Sequence, residues 1–158
     1  MATKKVLTFT PVVDTAIYAS GDVMFIAQEL SGVMNDTGGT ANLISAVVLD
    51  KDNEKVTFDL LFFDSNPANT LGAINAAYAL NDADFAKLMG RISVLNADYI
   101  SSGTNSAEAT YKNIQLLLKS AARSKSLWLV GVIRAGTPTF TAATDVKIQL
   151  GFEVDEAD

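Results

Sequence analysis

Five apolar residues late in the chain, Val146, Ile148, Leu150, Phe152 and Val154, alternate with Lys147, Gln149, Gly151 and Glu153. Successive side chains of a strand point to opposite faces, so this period of two specifies a strand with one buried face. The same period recurs upstream. Leu127, Leu129, Gly131 and Ile133 alternate with Trp128, Val130, Val132 and Arg134. Both of those sets are mostly apolar, which predicts a central strand covered on both sides. Residues 56–63 put Phe58, Leu60 and Phe62 on one face and Asp59 on the other. Residues 110–119 put Ile114, Leu116 and Leu118 on one face.

Turn chemistry separates these runs. Asp50-Lys51-Asp52-Asn53-Glu54 reads as a hairpin loop, and Pro67 ends a strand because it cannot donate to a ladder. Gly136-Thr137-Pro138 joins the last two strong strands, and residues 32–40 and 101–106 form further loops. The count is roughly seven to nine strands with frequent turns, the pattern of an all-β antiparallel sandwich. One short helix is predicted near residues 82–90. Asp82 or Asp84 would cap it, Phe85, Leu88 and Met89 would pack, and Gly90 would end it. The alanine-rich residues 69–80 fit neither pattern clearly. With no linker or repeat, the 158 residues read as one domain. A short N-terminal arm would precede it, and a solvated acidic C-terminal tail with four acids in residues 153–158 would follow.

Composition narrows the chemistry. The chain holds no cysteine and no histidine. That removes disulfides, thiolate nucleophiles, zinc ribbons and iron–sulfur clusters, together with the commonest general base and metal ligand. The net charge is −6, from 12 basic and 18 acidic residues. The only local basic groups are Lys4-Lys5 and Arg123-Ser124-Lys125, too few for a phosphate-binding surface, so no nucleic-acid partner is expected. No apolar stretch approaches the roughly 20 residues that cross a bilayer. Thr8, Thr10 and Pro11 break the apolar start, which is a strand pattern and not a signal peptide. A soluble protein made in a cytoplasm is expected, for which the Asn35-Asp36-Thr37 glycosylation triplet is idle.

Three constellations could carry chemistry. Asp50, Asp52 and Glu54 have the spacing that opens a calcium loop. Lys55 stands where such a loop needs glycine, and the distal glutamate is missing, so a solvated hairpin is the expectation. Asp59 and Asp64 are candidates for a glycosidase carboxylate pair only if they face one cleft. Trp128 is expected in the core. No nucleophile elbow, phosphate loop or dinucleotide fingerprint occurs. No catalytic residue, metal ligand or cofactor is therefore assigned. Phe25, Ile26, Leu30, Val33 and Met34 lie in a turn-punctuated apolar stretch. Core is their default, but on a loop they would form an exposed patch, which makes them the candidates for a subunit contact.

Several segments occur in a telling order. Tyr18-Ala19-Ser20-Gly21-Asp22-Val23 comes first, then Val47-Val48-Leu49-Asp50-Lys51-Asp52, then Asp59-Leu60-Leu61-Phe62-Phe63-Asp64-Ser65-Asn66-Pro67. Asp82-Ala83-Asp84-Phe85-Ala86-Lys87-Leu88-Met89-Gly90 follows, and Arg134-Ala135-Gly136-Thr137-Pro138-Thr139-Phe140 leads into the last strand. This order resembles small virion structural proteins of tailed bacteriophages, some of them capsid decoration (cement) proteins of jelly-roll type. The resemblance runs from about Tyr18 to Asp155. Residues 24–34 are longer and less glycine-rich than its pattern. It implies a non-enzymatic jelly roll that forms a homotrimer and binds the major capsid protein. Such a protein sits on the outer capsid surface after synthesis in the bacterial cytoplasm. Alternatives are a tail or neck component, a carbohydrate-binding sandwich with an exposed aromatic platform, and a carboxylate hydrolase.

Overall fold

The computed structural model describes residues 2–67 and 71–156. Among these residues nine strands form two antiparallel sheets. They are β1 (Thr3–Phe9), β2 (Val23–Leu30), β3 (Thr40–Asp50), β4 (Thr57–Phe63), β5 (Leu88–Val94), β6 (Tyr99–Ser101), β7 (Ala107–Lys119), β8 (Leu127–Ala135) and β9 (Val146–Val154). One sheet has the order β1-β9-β3-β7-β6, the other β2-β8-β4-β5. The chain crosses from sheet to sheet at nearly every connection, and β9 inserts between β1 and β3. Setting the short β6 aside, two four-stranded sheets wound in this order are a jelly roll.

The alternating strands fall as their periods dictate. Val146, Ile148, Leu150, Phe152 and Val154 are all buried. They meet Phe58, Leu60, Phe62, Leu127, Leu129 and Ile133 of the opposite sheet in one core. Strand β8 is covered on both faces, as its two apolar sets require. Its outward residues Val130 and Val132 join Val23, Leu61, Phe63 and Leu71 in a second, smaller cluster, against which Trp128 packs. The cover is the connection between β4 and β5. Within it, Tyr78 and Leu80 lie on that cluster. Backbone bonds from Val23 N to Ala76 O (2.8 Å) and from Tyr78 N to Gly21 O (2.9 Å) fasten this strap to the start of β2. Residues 69 and 70 of the alanine-rich stretch lie outside the described residues.

The short helix expected near 82–90 is present as one turn, α1 (Asp82–Phe85). Its cap is Asn81, whose side chain accepts from the Asp84 N–H, and not Asp82 or Asp84. Leu88, Met89 and Gly90 belong to β5, where Gly90 stands opposite Phe62. Cross-strand pairing with β4 outweighs a helical spacing that had only one turn to express itself. The N-terminal arm is strand β1, paired with β9 from Thr3↔Val154 to Phe9↔Ile148. The acidic tail is tied down at its start. Asp155 accepts from the Thr40 hydroxyl, and its carbonyl accepts from Asn35 Nδ2 at 2.7 Å. Residues 157–158 lie outside the described residues.

All four tyrosines are harder to ionise here than in water. Burial pushes Tyr18 up to about 12 and Tyr111 up to about 12, and raises Tyr99 and Tyr78 as well. A phenol that resists ionisation in the fold supports folding below its unfolded value of about 10. That support is lost as pH climbs from there through the folded values. Phenolate absorbance should therefore lag behind free tyrosine and rise together with loss of the β circular dichroism signal. Independent titration of the tyrosines near pH 10, with the fold intact, would contradict this burial.

Candidate interaction surfaces

The five contact candidates separate sharply. Phe25, Leu30, Val33 and Met34 are buried in the main core, and Ile26 alone is exposed, at 55%. The four buried residues cannot serve as a surface contact. Phe25 and Leu30 are on β2, where they face the opposite sheet, and Phe9 meets Phe25 edge to face at 6.2 Å. Val33 and Met34 follow the strand in a loop that is tied inward. Lys5 Nζ donates to the carbonyls of Gly32 (3.0 Å) and Val33 (3.1 Å), and Lys125 Nζ donates to the Asn35 carbonyl. One lysine from each basic group is thus spent on holding this loop, which sequence spacing could not show.

Ile26 keeps company at the surface. With Val12, itself 62% exposed, and Pro11, Phe25, Ala27 and Gln28 it lines a small groove of 140 Å³. Strand β2 is the outermost of its sheet, bonded to β8 on one side only. Its register with β8 shifts twice, between Val23 and Phe25 and between Phe25 and Gln28. Bulges of this kind re-aim side chains at a sheet edge, which accounts for neighbouring Met24 and Phe25 both entering the main core, while Ile26 faces solvent by ordinary alternation.

The acidic segment 50–54 is not the expected hairpin, since β3 and β4 lie in different sheets; it is a sheet-to-sheet connection engaged in capping. Asp50 is buried and accepts from the backbone N–H of Asp52 (3.0 Å) and of Lys55 (2.7 Å); burial pushes its carboxyl up. Asp52 accepts from the Thr141 N–H (2.9 Å), and Glu54 from the Thr139 N–H (3.0 Å). These carboxylates staple the β3–β4 turn to the β8–β9 connection. Among the described residues no group of three or more acids could hold a metal ion.

Asp59 and Asp64 do not make a hydrolytic pair. Five residues along an extended chain separate them by about 16 Å, beyond the roughly 9.5 Å limit for two carboxylates sharing a glycosidic bond. Asp59 instead anchors a cluster on the outer face of the four-stranded sheet. Period two puts Asp59 and Leu61 of β4, Arg91 and Ser93 of β5, and Val132 and Arg134 of β8 on that face. Arg134 Nε donates to Asp59 Oδ2 at 2.7 Å, Arg91 Nη1 donates to the same oxygen at 3.1 Å, and Ser93 Oγ donates to Oδ1 at 2.7 Å. The carboxylate is buried, while the Arg91 and Arg134 side chains are 60% and 38% exposed. Both guanidinium groups line a groove of 490 Å³ whose other walls are Leu61, Tyr78, Leu80, Phe85, Leu88 and Gly90. Sequence reasoning placed Asp59 opposite Phe58 but gave no sign of its two arginine partners.

No known family model matches the chain, and neither does any curated protein. Among solved structures, a chain of the X-ray structure of tomato aspermy virus aligns with a TM-score of 0.45 and 11% identity, over 99% of this chain and 79% of that one. A chain of desmodium yellow mottle tymovirus aligns with a TM-score of 0.28 and 13% identity, over 98% of this chain and 81% of that one. Likeness this low carries no argument, so the jelly-roll assignment rests on the strand order itself.

Proposed function

We propose that this chain is a virion structural protein, a capsid decoration protein of a tailed bacteriophage that binds the major capsid protein on the outer lattice. The observation that carries the reading is the two-sheet order β1-β9-β3-β7 against β2-β8-β4-β5. This architecture recurs in viral coat domains. The order of sequence segments resembling tailed-phage virion proteins supports it. So does the engagement of the acidic β3–β4 loop in capping. In this reading the protein works without catalysis. Binding only to the mature lattice stabilises that lattice by mass action, and many copies turn modest contacts into avidity. Purified protein should bind capsids that lack it and raise their melting temperature. Normal assembly with no binding to any such capsid would end the reading.

The homotrimer contact in this reading falls on the free edge of β2, at Ile26 and Val12. An unpaired strand edge beside exposed apolar side chains is a ready surface for a second copy. Size exclusion with light scattering should give a trimer for the parent chain and a monomer for Val12→Lys with Ile26→Lys. The variant should keep the β circular dichroism signal of the parent, since neither side chain is in the core. A parent chain that stays monomeric at high concentration would remove this contact.

A further inference from the structure

We propose that the groove headed by Arg91 and Arg134 is a binding site for an extended peptide segment that carries a carboxylate beside apolar side chains. This inference stands apart from the capsid reading. Two guanidinium groups share one buried carboxylate, so the cluster keeps a surplus positive charge in a protein of net charge −6. A guanidinium has five N–H donors. Among the described residues, Arg134 uses one of them on Asp59, and so does Arg91. The remaining donors suit a second carboxylate, which guanidinium groups bind through paired, charge-assisted hydrogen bonds.

The rest of the groove selects what is attached to that carboxylate. Leu61, Leu80, Leu88 and Phe85 supply apolar walls, and Phe85 is 61% exposed. A large exposed aromatic beside a fixed charge is the composition of a recognition site rather than of a solvated surface. Arg134 acts electrostatically on the Tyr78 hydroxyl, and both line the groove, so Tyr78 offers a further polar group beside the cation. Gly90 and Arg91 of β5 line the groove in extended backbone, so a segment lying along them would itself run extended. Inorganic phosphate would leave the apolar walls unused, and a neutral glycan would leave the cations unanswered.

The test uses the full chain, labelled for nuclear magnetic resonance, with acetyl-Leu-Glu-Leu-amide as the probe and acetyl-Leu-Gln-Leu-amide as its uncharged counterpart. The glutamate peptide should shift the amides of Tyr78, Gly90, Arg91 and Arg134 saturably. The glutamine peptide should bind roughly tenfold more weakly, as loss of one charge-assisted contact implies. Added salt should weaken only the glutamate peptide. Arg91→Gln should cause a similar loss. Phe85→Ser, at an exposed position that does not threaten folding, should weaken both peptides. Absence of shifts at the highest soluble peptide concentration would overturn the proposal. Equal binding of the two peptides would also overturn it, as would unchanged binding in both variants. The same shifts produced by a neutral oligosaccharide would count against it in favour of a glycan site.

Discussion

Phe25→Ala should lower the unfolding free energy by about 3–5 kcal/mol, the usual cost of removing a fully buried phenylalanine. The ring is 1% exposed, meets Phe9 edge to face, and fills the space over Gly131 of β8. Truncation leaves a cavity that β2 cannot close, because the strand is fastened at its start to both β8 and the strap. Urea denaturation with linear extrapolation measures the loss. The experiment also decides between two roles for the same residue. A core phenylalanine costs stability whatever the state of assembly. A contact phenylalanine would cost little in the isolated chain and change its association instead. A loss under about 1 kcal/mol would return Phe25 to the surface.

Gly131→Ala comes next in expected size, at about 1–3 kcal/mol. An added Cβ would stand 2.3 Å from Phe25 Cε1 and 2.7 Å from Cδ1, distances at which something must move. The ring is clamped within the core, so it cannot swing aside without opening contacts elsewhere. The glycine is needed for close approach, not for an unusual backbone angle. That distinction is testable in a double-mutant cycle. If the clash is the cause, Gly131→Ala should cost clearly less when Phe25 is already leucine. Additive effects would point to some other origin.

Strand β9 was legible because its apolar set repeats five times at one spacing and meets a single core. Strand β8 was legible as doubly covered, but not what covers its outer side, since the strap carries no period of its own. The short helix near 82–90 was legible, but where it gives way to β5 was not, because Phe85, Leu88 and Met89 satisfy a helical spacing locally while the pairing of Leu88–Val94 with β4 is a tertiary fact. The apolar run around Phe25 illustrates a different limit. Apolarity tells that a side chain seeks cover, yet core and partner cover it equally well. Alternation puts Phe25 and Ile26 on opposite faces of β2, but only the sheet order decides which of those faces is covered. The arginine groove lay furthest from view. Asp59, Arg91 and Arg134 are 32 and 75 positions apart along the chain, and nothing short of the sheet order brings them together.

The place of β9 between β1 and β3 has a consequence for biogenesis. As the chain is made, β1 and β3 emerge early and must wait for the strand that joins them. Until residues 146–154 leave the ribosome, the five-stranded sheet is split, with two raw edges facing an empty slot. A nascent chain in that condition is open to pairing with its neighbours on the same message. β9 then acts as a closing wedge, so the five-stranded sheet can close only once residues 146–154 are available to it.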